Sequence, residues 1–213
     1  MLFNSLTFFV FFSCILLLFP LVPKKRRHLF LLAASLLFYM GWNVAYVLLM
    51  LTSIVTTYGC GLMLERAQTK KRKQLSLAAC FAVNLLILFF FKYANFMLES
   101  LDAALVAFGF YPRRWRLDVL LPVGISFYTF QALGYIVDVY RGDLPAEKRF
   151  TRYALFVSFF PQLVAGPIER SKNLLNQIHA LPERKAYDWE KTKSGLTIML
   201  WGYFISQSGT GGM

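Results

Sequence analysis

The stretch Val119–Arg141, VLLPVGISFYTFQALGYIVDVYR, decides the fold class of this chain. It carries no charge between Asp118 and Asp138, so it is long and apolar enough to cross a bilayer. Spacings of four, three, four and three place five of its residues on one helix face: Gly124, Tyr128, Gln131, Tyr135 and Asp138. Polar side chains in hydrocarbon are costly unless they face protein or water, so this stripe predicts a packing seam or a polar pathway inside a helix bundle.

The composition of the whole chain is typical of a membrane protein. Of its 213 residues, 57% are hydrophobic, and the mean hydropathy is +0.51. The net charge of +12 comes from short basic runs between apolar segments, which is the positive-inside pattern and not a nucleic-acid-binding surface. Cys14, Cys60 and Cys80 lie in apolar runs without disulfide or metal-ligand spacing, so we predict small core residues and no metal site. The prediction is an all-α, polytopic transmembrane helix bundle in a lipid bilayer.

Basic clusters predict the side of the membrane that each segment faces. The uncharged run 2–20 is followed by four basic residues, so it is predicted to be a retained span with its N-terminus outside. The next uncharged run, Leu29–Leu64, would be about 54 Å long as one helix and has basic clusters at both ends. It therefore predicts a hairpin that turns at Gly41-Trp42-Asn43. The segments predicted to lie on the cytoplasmic side of the inner membrane are 24–28, 65–73 and 141–152.

The region after the hairpin, residues 74–118, is predicted to contain one membrane crossing and one amphipathic helix. Gln74–Phe91 is predicted to cross outward and to stop at Lys92. Glu99 and Asp102 would fall mid-membrane if the next segment crossed, so 93–118 is predicted to be an amphipathic helix on the outer face. The other side of the membrane is the alternative, because three arginines of this segment would otherwise lie outside.

The apolar segment Tyr153–Ile168, YALFVSFFPQLVAGPI, is broken by prolines. Non-helical backbone at membrane depth needs cover from protein or a water-filled cavity. We therefore predict a re-entrant or broken helix near residues 158–168, as an architectural break or as the lining of a pathway. The residues of this motif are Pro161, Gln162, Gly166, Pro167, Glu169 and Arg170.

The last part of the chain combines an amphipathic piece with a weak span. Leu174, Leu175 and Ile178 predict an interfacial or cytoplasmic helix within 169–193. The final uncharged run begins at Ser194 and passes into a glycine-rich end that disfavours helix. The interpretation is a single transmembrane domain over 1–205, followed by a truncated or frame-shifted tail over 206–213.

Two long motifs carry a resemblance to a known family. With LPVGISFYTFQALGYIVDVYRG at Leu121–Gly142 and SFFPQLVAGPIER at Ser158–Arg170, the chain resembles the N-terminal half of membrane-bound O-acyltransferases, in the branch that O-acetylates alginate and related exported polysaccharides. The likeness runs to Tyr203 and includes Trp42-Asn43 and Phe91-Lys92-Tyr93. It implies a funnel of membrane helices that passes an acyl group from acetyl-CoA or another acyl carrier to a polysaccharide outside, with periplasmic or extracellular partner proteins.

The resemblance also bears on catalysis. It implies a catalytic histidine further downstream, which neither His28 nor His179 matches, so no catalytic residue is identified and the chain as given is expected not to catalyse transfer. Arg170 would suit a donor phosphate or a solvated pair with Glu169, and Asp138 is predicted to pair with Arg141. The competing hypothesis is a non-catalytic membrane scaffold or transport component of a polysaccharide export system.

Overall fold

The computed structural model describes residues 5–107, 124–163, 170–185 and 188–208. These ranges form helices and contain no strand, so the all-α prediction is confirmed. The helices are α1 Leu6–Leu18, α2 Arg27–Met40, α3 Val44–Arg66, α4 Lys70–Ala107, α5 Ile125–Arg141, α6 Phe150–Ser158, α7 Phe160–Leu163, α8 Ser171–Ala180 and α9 Trp189–Ser208. Two 3-10 turns, Phe19–Leu21 and Lys24–Arg26, connect α1 to α2.

The predicted hairpin forms between α2 and α3, and its turn satisfies its own backbone. The Asn43 side chain accepts a hydrogen bond from the Ala45 amide at 2.9 Å. The Gly41 amide donates to the carbonyls of Leu37 and Phe38 at 3.2 and 3.3 Å. Both ends of the turn therefore find their hydrogen-bond partners within four residues. Gly41 and Asn43 occupy helix-cap positions, where glycine and asparagine are favoured.

Two helical segments are long and apolar enough to cross a bilayer, namely Val44–Arg66 and Lys70–Tyr93. Together with the 3-10 turn that follows it, α1 forms a shorter apolar segment, Leu6–Leu21. The central helix α5 has 17 residues and begins at Ile125. Residues 119–123 of the predicted central span lie outside the described residues.

The prediction that the fourth helix stops at Lys92 is wrong. α4 continues as one helix of 38 residues to Ala107. Residues 93–107 contain neither glycine nor proline and are rich in alanine and leucine, so helix propensity carries the helix onward. At 1.5 Å per residue, α4 is about 57 Å long, so Glu99 and Asp102 need not lie in hydrocarbon.

The core is centred on α5, which packs against α3, α4, α6 and α8. It lies close to α3, where a Cβ on Gly61 would lie 3.2 Å from Tyr135 Cε1. A small residue at this point lets the two backbones come together, as at many membrane helix interfaces. A second cluster joins α1, α2 and α7 through phenylalanine rings, with Phe38 5.6 Å from Phe160 between centroids.

The last two helices differ in their packing. α8 buries Leu174, Leu175 and Ile178, which confirms its predicted amphipathic character. α9 runs beyond the predicted run at both of its ends, and its described side chains are exposed apart from the half-buried Thr192. Residues 209–213 of the predicted tail lie outside the described residues.

The cysteine prediction is correct in part. Cys60 and Cys80 are buried between α3 and α4, but Cys14 is exposed. The thiol of Cys60 donates to the Ser76 carbonyl at 3.3 Å.

Candidate functional site

The candidate site is built around a break in the helical segment that follows α5. α6 ends at Ser158, Phe159 has a φ of −57° and a ψ of 109°, and α7 begins at Phe160. Proline at position 161 has no amide hydrogen, and its ring would clash with the carbonyl of the residue four positions earlier. The break therefore comes just before this proline, within the region predicted for it.

Side chains from two other helices satisfy the backbone groups that the break exposes. Gln131 Nε2 on α5 donates to the Phe156 carbonyl at 2.8 Å. The Phe160 amide donates to Ser35 Oγ on α2 at 3.2 Å, and that hydroxyl donates to the Leu31 carbonyl at 2.8 Å. Buried backbone groups without partners are costly, so Gln131 and Ser35 stabilise the break from outside its own segment.

Gly124 brings the start of α5 against the end of α7. It is the N-cap residue of α5, so it lies before the helix instead of on its face as predicted. Its φ is +79°, and a Cβ at this position would lie 2.7 Å from the Leu163 carbonyl oxygen. Only glycine combines this backbone conformation with so close an approach.

The other members of the predicted stripe lie on one face of α5, toward the protein interior. Tyr128 and Tyr135 are each 1% exposed, and Gln131 is 5% exposed. The Tyr128 ring packs edge to face on Tyr39, with centroids 6.4 Å apart. Tyr135 Oη accepts a hydrogen bond from the Glu147 amide at 2.8 Å. This face of α5 therefore contacts α2, α6 and the loop before α6.

A buried polar network extends the stripe toward α3 and α4. The Tyr153 ring lies 4.7 Å from the Tyr135 ring between centroids, and its hydroxyl donates to Thr57 Oγ1 at 2.8 Å. One turn earlier on α3, Ser53 Oγ donates to Asn84 Oδ1 on α4 at 2.6 Å. Asn84 is 1% exposed, and its amide nitrogen donates to the Cys80 carbonyl at 2.9 Å. These bonds give the buried polar groups of Tyr153, Ser53 and Asn84 a partner within the bundle.

The last stripe residue, Asp138, lies at the charged end of α5. It lines a cavity of about 540 Å³ together with Arg141, Asp143, Arg170 and Lys172. Asp138 and Arg141, both among the described residues, do not form the predicted ion pair. The aspartate instead shares a cavity with several cations, since the loop after α5 and the start of α8 converge there.

The broken-helix motif is described only in part. Pro161 is exposed, and Gln162 Oε1 lies 3.4 Å from Gln131 Nε2. Arg170 is exposed at the start of α8. Gly166, Pro167 and Glu169 lie outside the described residues.

The basic segments meet at one end of the helix assembly. Arg27 Nη1 donates to the Arg184 carbonyl at 2.7 Å and to the Leu181 carbonyl at 3.4 Å, just after α8. Tyr58 Oη on α3 donates to the Lys148 carbonyl at 2.7 Å. We call this region the basic end and define it as residues 24–28, 58–66, 141–152 and 170–185.

Both histidines of the chain lie at the basic end. His28 is 8% exposed, and its pKa is lowered by burial and then by the charges of Arg152 and Arg149. His179 Nε2 pairs with the buried carboxylate of Glu147. Neither imidazole is among the side chains that bond the backbone of the break, which are Gln131 and Ser35.

Ser35 and Glu147 are the site residues that the sequence analysis missed. Ser35 stands alone among apolar residues of α2, and an isolated polar residue in such a run signals a buried hydrogen bond. Glu147 lies in a charged loop, GDLPAEKR, whose composition is typical of an exposed loop. The sequence therefore does not indicate that Glu147 is buried, with only 8% of its surface exposed.

The sequence of the chain is similar to those of several bacterial proteins. The chain is 39% identical to a "Probable alginate O-acetylase" of Pseudomonas aeruginosa over 205 residues, which are 95% of this chain and 38% of the relative. A protein of the same name from Azotobacter vinelandii is 38% identical over 98% of this chain and 42% of its own length. These relatives agree with the resemblance of the two long motifs to membrane-bound O-acyltransferases.

A further relative agrees with the same resemblance. A "Peptidoglycan O-acetyltransferase" of Helicobacter pylori is 34% identical over 187 residues, 74% of this chain and 33% of that protein. No family model and no solved structure matches the chain significantly. The chain spans about two fifths of the length of the alginate O-acetylases named above. It aligns with a family of membrane proteins, in agreement with its apolar helices.

Proposed function

We propose that this protein is a membrane-bound O-acyltransferase that O-acetylates an exported polysaccharide such as alginate. The observation that carries the proposal is the 39% identity to a probable alginate O-acetylase along 95% of the chain. In the proposed reaction, the acceptor hydroxyl attacks the acyl carbonyl, the bond to the donor breaks, and a base takes the hydroxyl proton. The donor is acetyl-CoA or another acyl carrier on the cytoplasmic side.

The helix break is proposed as part of the wall of the acyl path. Gln131 and Ser35 hold the backbone at Phe156 and Phe160 in a fixed arrangement inside the core. Irregular backbone at membrane depth is tolerated where it is covered by protein or lines a cavity. Residues that fix this backbone would position the path without taking part in bond making.

The donor is proposed to approach the basic end. Arg141, Arg170 and Lys172 surround the cavity that Asp138 lines. Guanidinium groups bind phosphate oxygens in a bidentate manner, so Arg170 suits the phosphate of an acyl donor. The acceptor and the periplasmic or extracellular partner proteins are proposed to meet the opposite end.

This arrangement requires a multi-pass topology in the inner membrane, with the N-terminus outside. At the basic end, the contact of Arg27 joins residues 24–28 to 170–185, and that of Tyr58 joins 58–66 to 141–152. Cysteines introduced at positions 25, 71 and 148 of a Cys-free background should therefore resist an impermeant thiol reagent added from outside. A cysteine at position 43 should react. Labelling at 71 without labelling at 43 would contradict the proposed hairpin orientation.

A chimera tests the proposed activity. Residues 1–205 would replace the aligned region of the Pseudomonas aeruginosa relative, in a strain that lacks its own alginate O-acetylase. We expect the chimera to restore ester-linked acetyl groups on the exported polysaccharide, measured after mild alkaline release. The isolated chain is expected to restore none, because neither His28 nor His179 matches the family's histidine.

The alternative role is a non-catalytic scaffold or transport component. It is favoured by the position of both imidazoles at the basic end, away from the break. A chimera that reaches wild-type abundance in the membrane and leaves the polysaccharide unacetylated would support this role and overturn the proposed activity. Acetylation that is lost in the Gln131→Leu chimera but retained in the Leu133→Ile chimera would connect the activity to the break.

A further inference from the structure

A second charged cavity lies at the basic end, between α8 and the loop that joins α5 to α6. Its volume is about 660 Å³. The charged side chains that line it are Lys148, Arg149, Arg152, Lys172 and His179, with Glu65, Asp143 and Glu147. It shares Asp143 and Lys172 with the Asp138 cavity, so the two spaces are neighbours.

The positive charges of this cavity exceed the carboxylates available to neutralise them. Glu147 is already engaged, because its Oε1 accepts the Arg149 amide at 2.9 Å and its Oε2 pairs with His179. Within the described part of the chain, the four lysines and arginines of the lining form no ion pair. Four lysine and arginine side chains therefore share the lining with three carboxylates, Glu65, Asp143 and Glu147, so positive charge is in excess.

Two further observations indicate a positive potential in the cavity wall. Arg152 Nε is shielded from solvent and has no hydrogen-bond partner in the structure. The charges of Arg152 and Arg149 lower the pKa of the neighbouring His28, in addition to the larger effect of burial. Because Arg152 lines the cavity, its guanidinium charge would attract an anion bound there.

The cavity lies next to apolar surface. The rings of Tyr58 and Phe150 pack edge to face with centroids 5.3 Å apart, and Phe150 is 39% exposed. Tyr58 also donates to the Lys148 carbonyl, so these aromatic rings connect directly to the cavity lining. Aromatic rings beside basic side chains are typical of the membrane–water interface, where phospholipid headgroups lie.

We propose that this cavity binds a phosphate group, carried by an anionic phospholipid headgroup or by a soluble phosphate. Arg149 is the N-cap residue of α6, Arg152 lies in its first turn, and Lys172 lies in the first turn of α8. Donors from two helices thus converge on one space, and both guanidinium groups match phosphate geometry. The site adjoins the cavity proposed for the acyl donor and shares Lys172 with it, but phosphate binding here requires no acyl transfer.

The test uses the full chain in phosphatidylcholine nanodiscs. Binding is measured as the rise in Tm and as a Kd from native mass spectrometry, with three probes: dioctanoyl phosphatidylglycerol, dioctanoyl phosphatidylcholine and inorganic phosphate. The variant Arg149→Gln/Lys172→Gln removes two exposed lining charges, and Lys70→Gln/Lys71→Gln removes the same charge from exposed positions outside the lining. We expect the first variant to raise the Kd by about tenfold and the second by less than about twofold.

The probes distinguish the two sources of phosphate. Binding of phosphatidylglycerol alone indicates a lipid headgroup, whereas competition by millimolar inorganic phosphate indicates a soluble ligand. Equal losses in both variants would mean general electrostatic attraction and would overturn the proposal, as would an unchanged Kd in the first variant or no binding of either anion. If the first variant does not fold, Lys148→Gln/Lys172→Gln replaces it with the same expected outcome.

Discussion

The two interruptions of helix in this protein satisfy their backbones in different ways. The turn between α2 and α3 is closed by Asn43 and Gly41, whose partners lie within four residues. The break at Phe159 depends on Gln131 and Ser35, which are 25 and 125 positions away from the groups they bind. The first interruption can form as soon as its own segment does, but the second needs the packed bundle.

This difference predicts which substitutions affect only local structure and which affect the whole assembly. A local cap contributes to one helix end, and its loss is confined to that end. A side chain that satisfies a distant backbone group also fixes the relative position of two helices. Substitutions at the Phe159 break should therefore change both stability and the proposed acyl transfer, whereas those at the turn should change stability alone.

The largest expected effect is at Gly124. Alanine at this position would have to adopt a φ of +79° with its Cβ 2.7 Å from the Leu163 carbonyl. We expect Gly124→Ala to lower the free energy of unfolding by about 2–4 kcal/mol, measured by reversible unfolding in detergent. The control is Gly134→Ala on the same helix, where an added Cβ meets no atom within 4 Å. The control should be neutral or stabilising by up to about 1 kcal/mol, and equal losses in the two variants would show that the approach to α7 is unimportant.

Replacement of Gln131 should have the next largest effect. Gln131→Leu removes the donor to the Phe156 carbonyl, so it should lower the free energy of unfolding by about 0.6–2 kcal/mol. The same substitution in the chimera should reduce acetyl transfer. Leu133→Ile, two positions along, keeps an apolar side chain of the same volume and should retain both abundance and transfer. Wild-type behaviour of both variants would mean that the stripe is neither a seam nor a pathway.

Ser35 and Asn43 provide the direct comparison between the two interruptions. Ser35→Ala and Asn43→Ala should each cost about 1 kcal/mol, because each leaves one backbone amide without its acceptor. Hydrogen exchange should accelerate at Phe160 in the first variant and at Ala45 in the second. Asn43→Asp should restore protection at Ala45, since aspartate also caps helices. Faster exchange at both amides in either variant would contradict the separation of local and distant partners.

The smallest effect concerns pH and originates away from both interruptions. The pKa of His28 is lowered in the folded protein, so the unfolded chain takes up a proton first as the pH falls below about 6.5. Burial of the neutral imidazole therefore does not reduce the free energy of unfolding above that pH. As the pH falls toward the lowered pKa, the free energy of unfolding decreases. Between pH 7.5 and 5.5, the Tm of the wild type should decrease more than that of His28→Gln. Identical slopes would show that burial of His28 is not coupled to folding.

The sequence predicted those features whose physical cause is local. The hairpin follows from a 36-residue uncharged run with Gly and Asn at its centre, and the break follows from Pro161. The packed face of α5 follows from the spacing of Tyr128, Gln131 and Tyr135, which the structure buries. In each case, one property of a short segment was sufficient for the prediction.

The features that the sequence did not predict depend on distant partners. Whether α4 ended at Lys92 or continued depended on helix propensity, which charge patterning does not report. Ser35 acquires its role from Phe160, and Glu147 from His179 and Tyr135, which are all at least 12 positions away. The predicted Asp138–Arg141 pair satisfied helical spacing, yet both side chains contribute to a cavity formed with α8.

The contact of Arg27 with the end of α8 sets an order of events during synthesis. Its guanidinium binds a carbonyl 157 positions further along the chain. At about 5–20 residues per second, the ribosome needs on the order of ten to thirty seconds to supply that partner after Arg27 has left it. During this interval the charge is free to hold the first basic segment on its side of the bilayer. In the predicted topology, one side chain would thus act first on the insertion of the nascent chain and only afterwards in the folded protein, where it binds carbonyls just after α8.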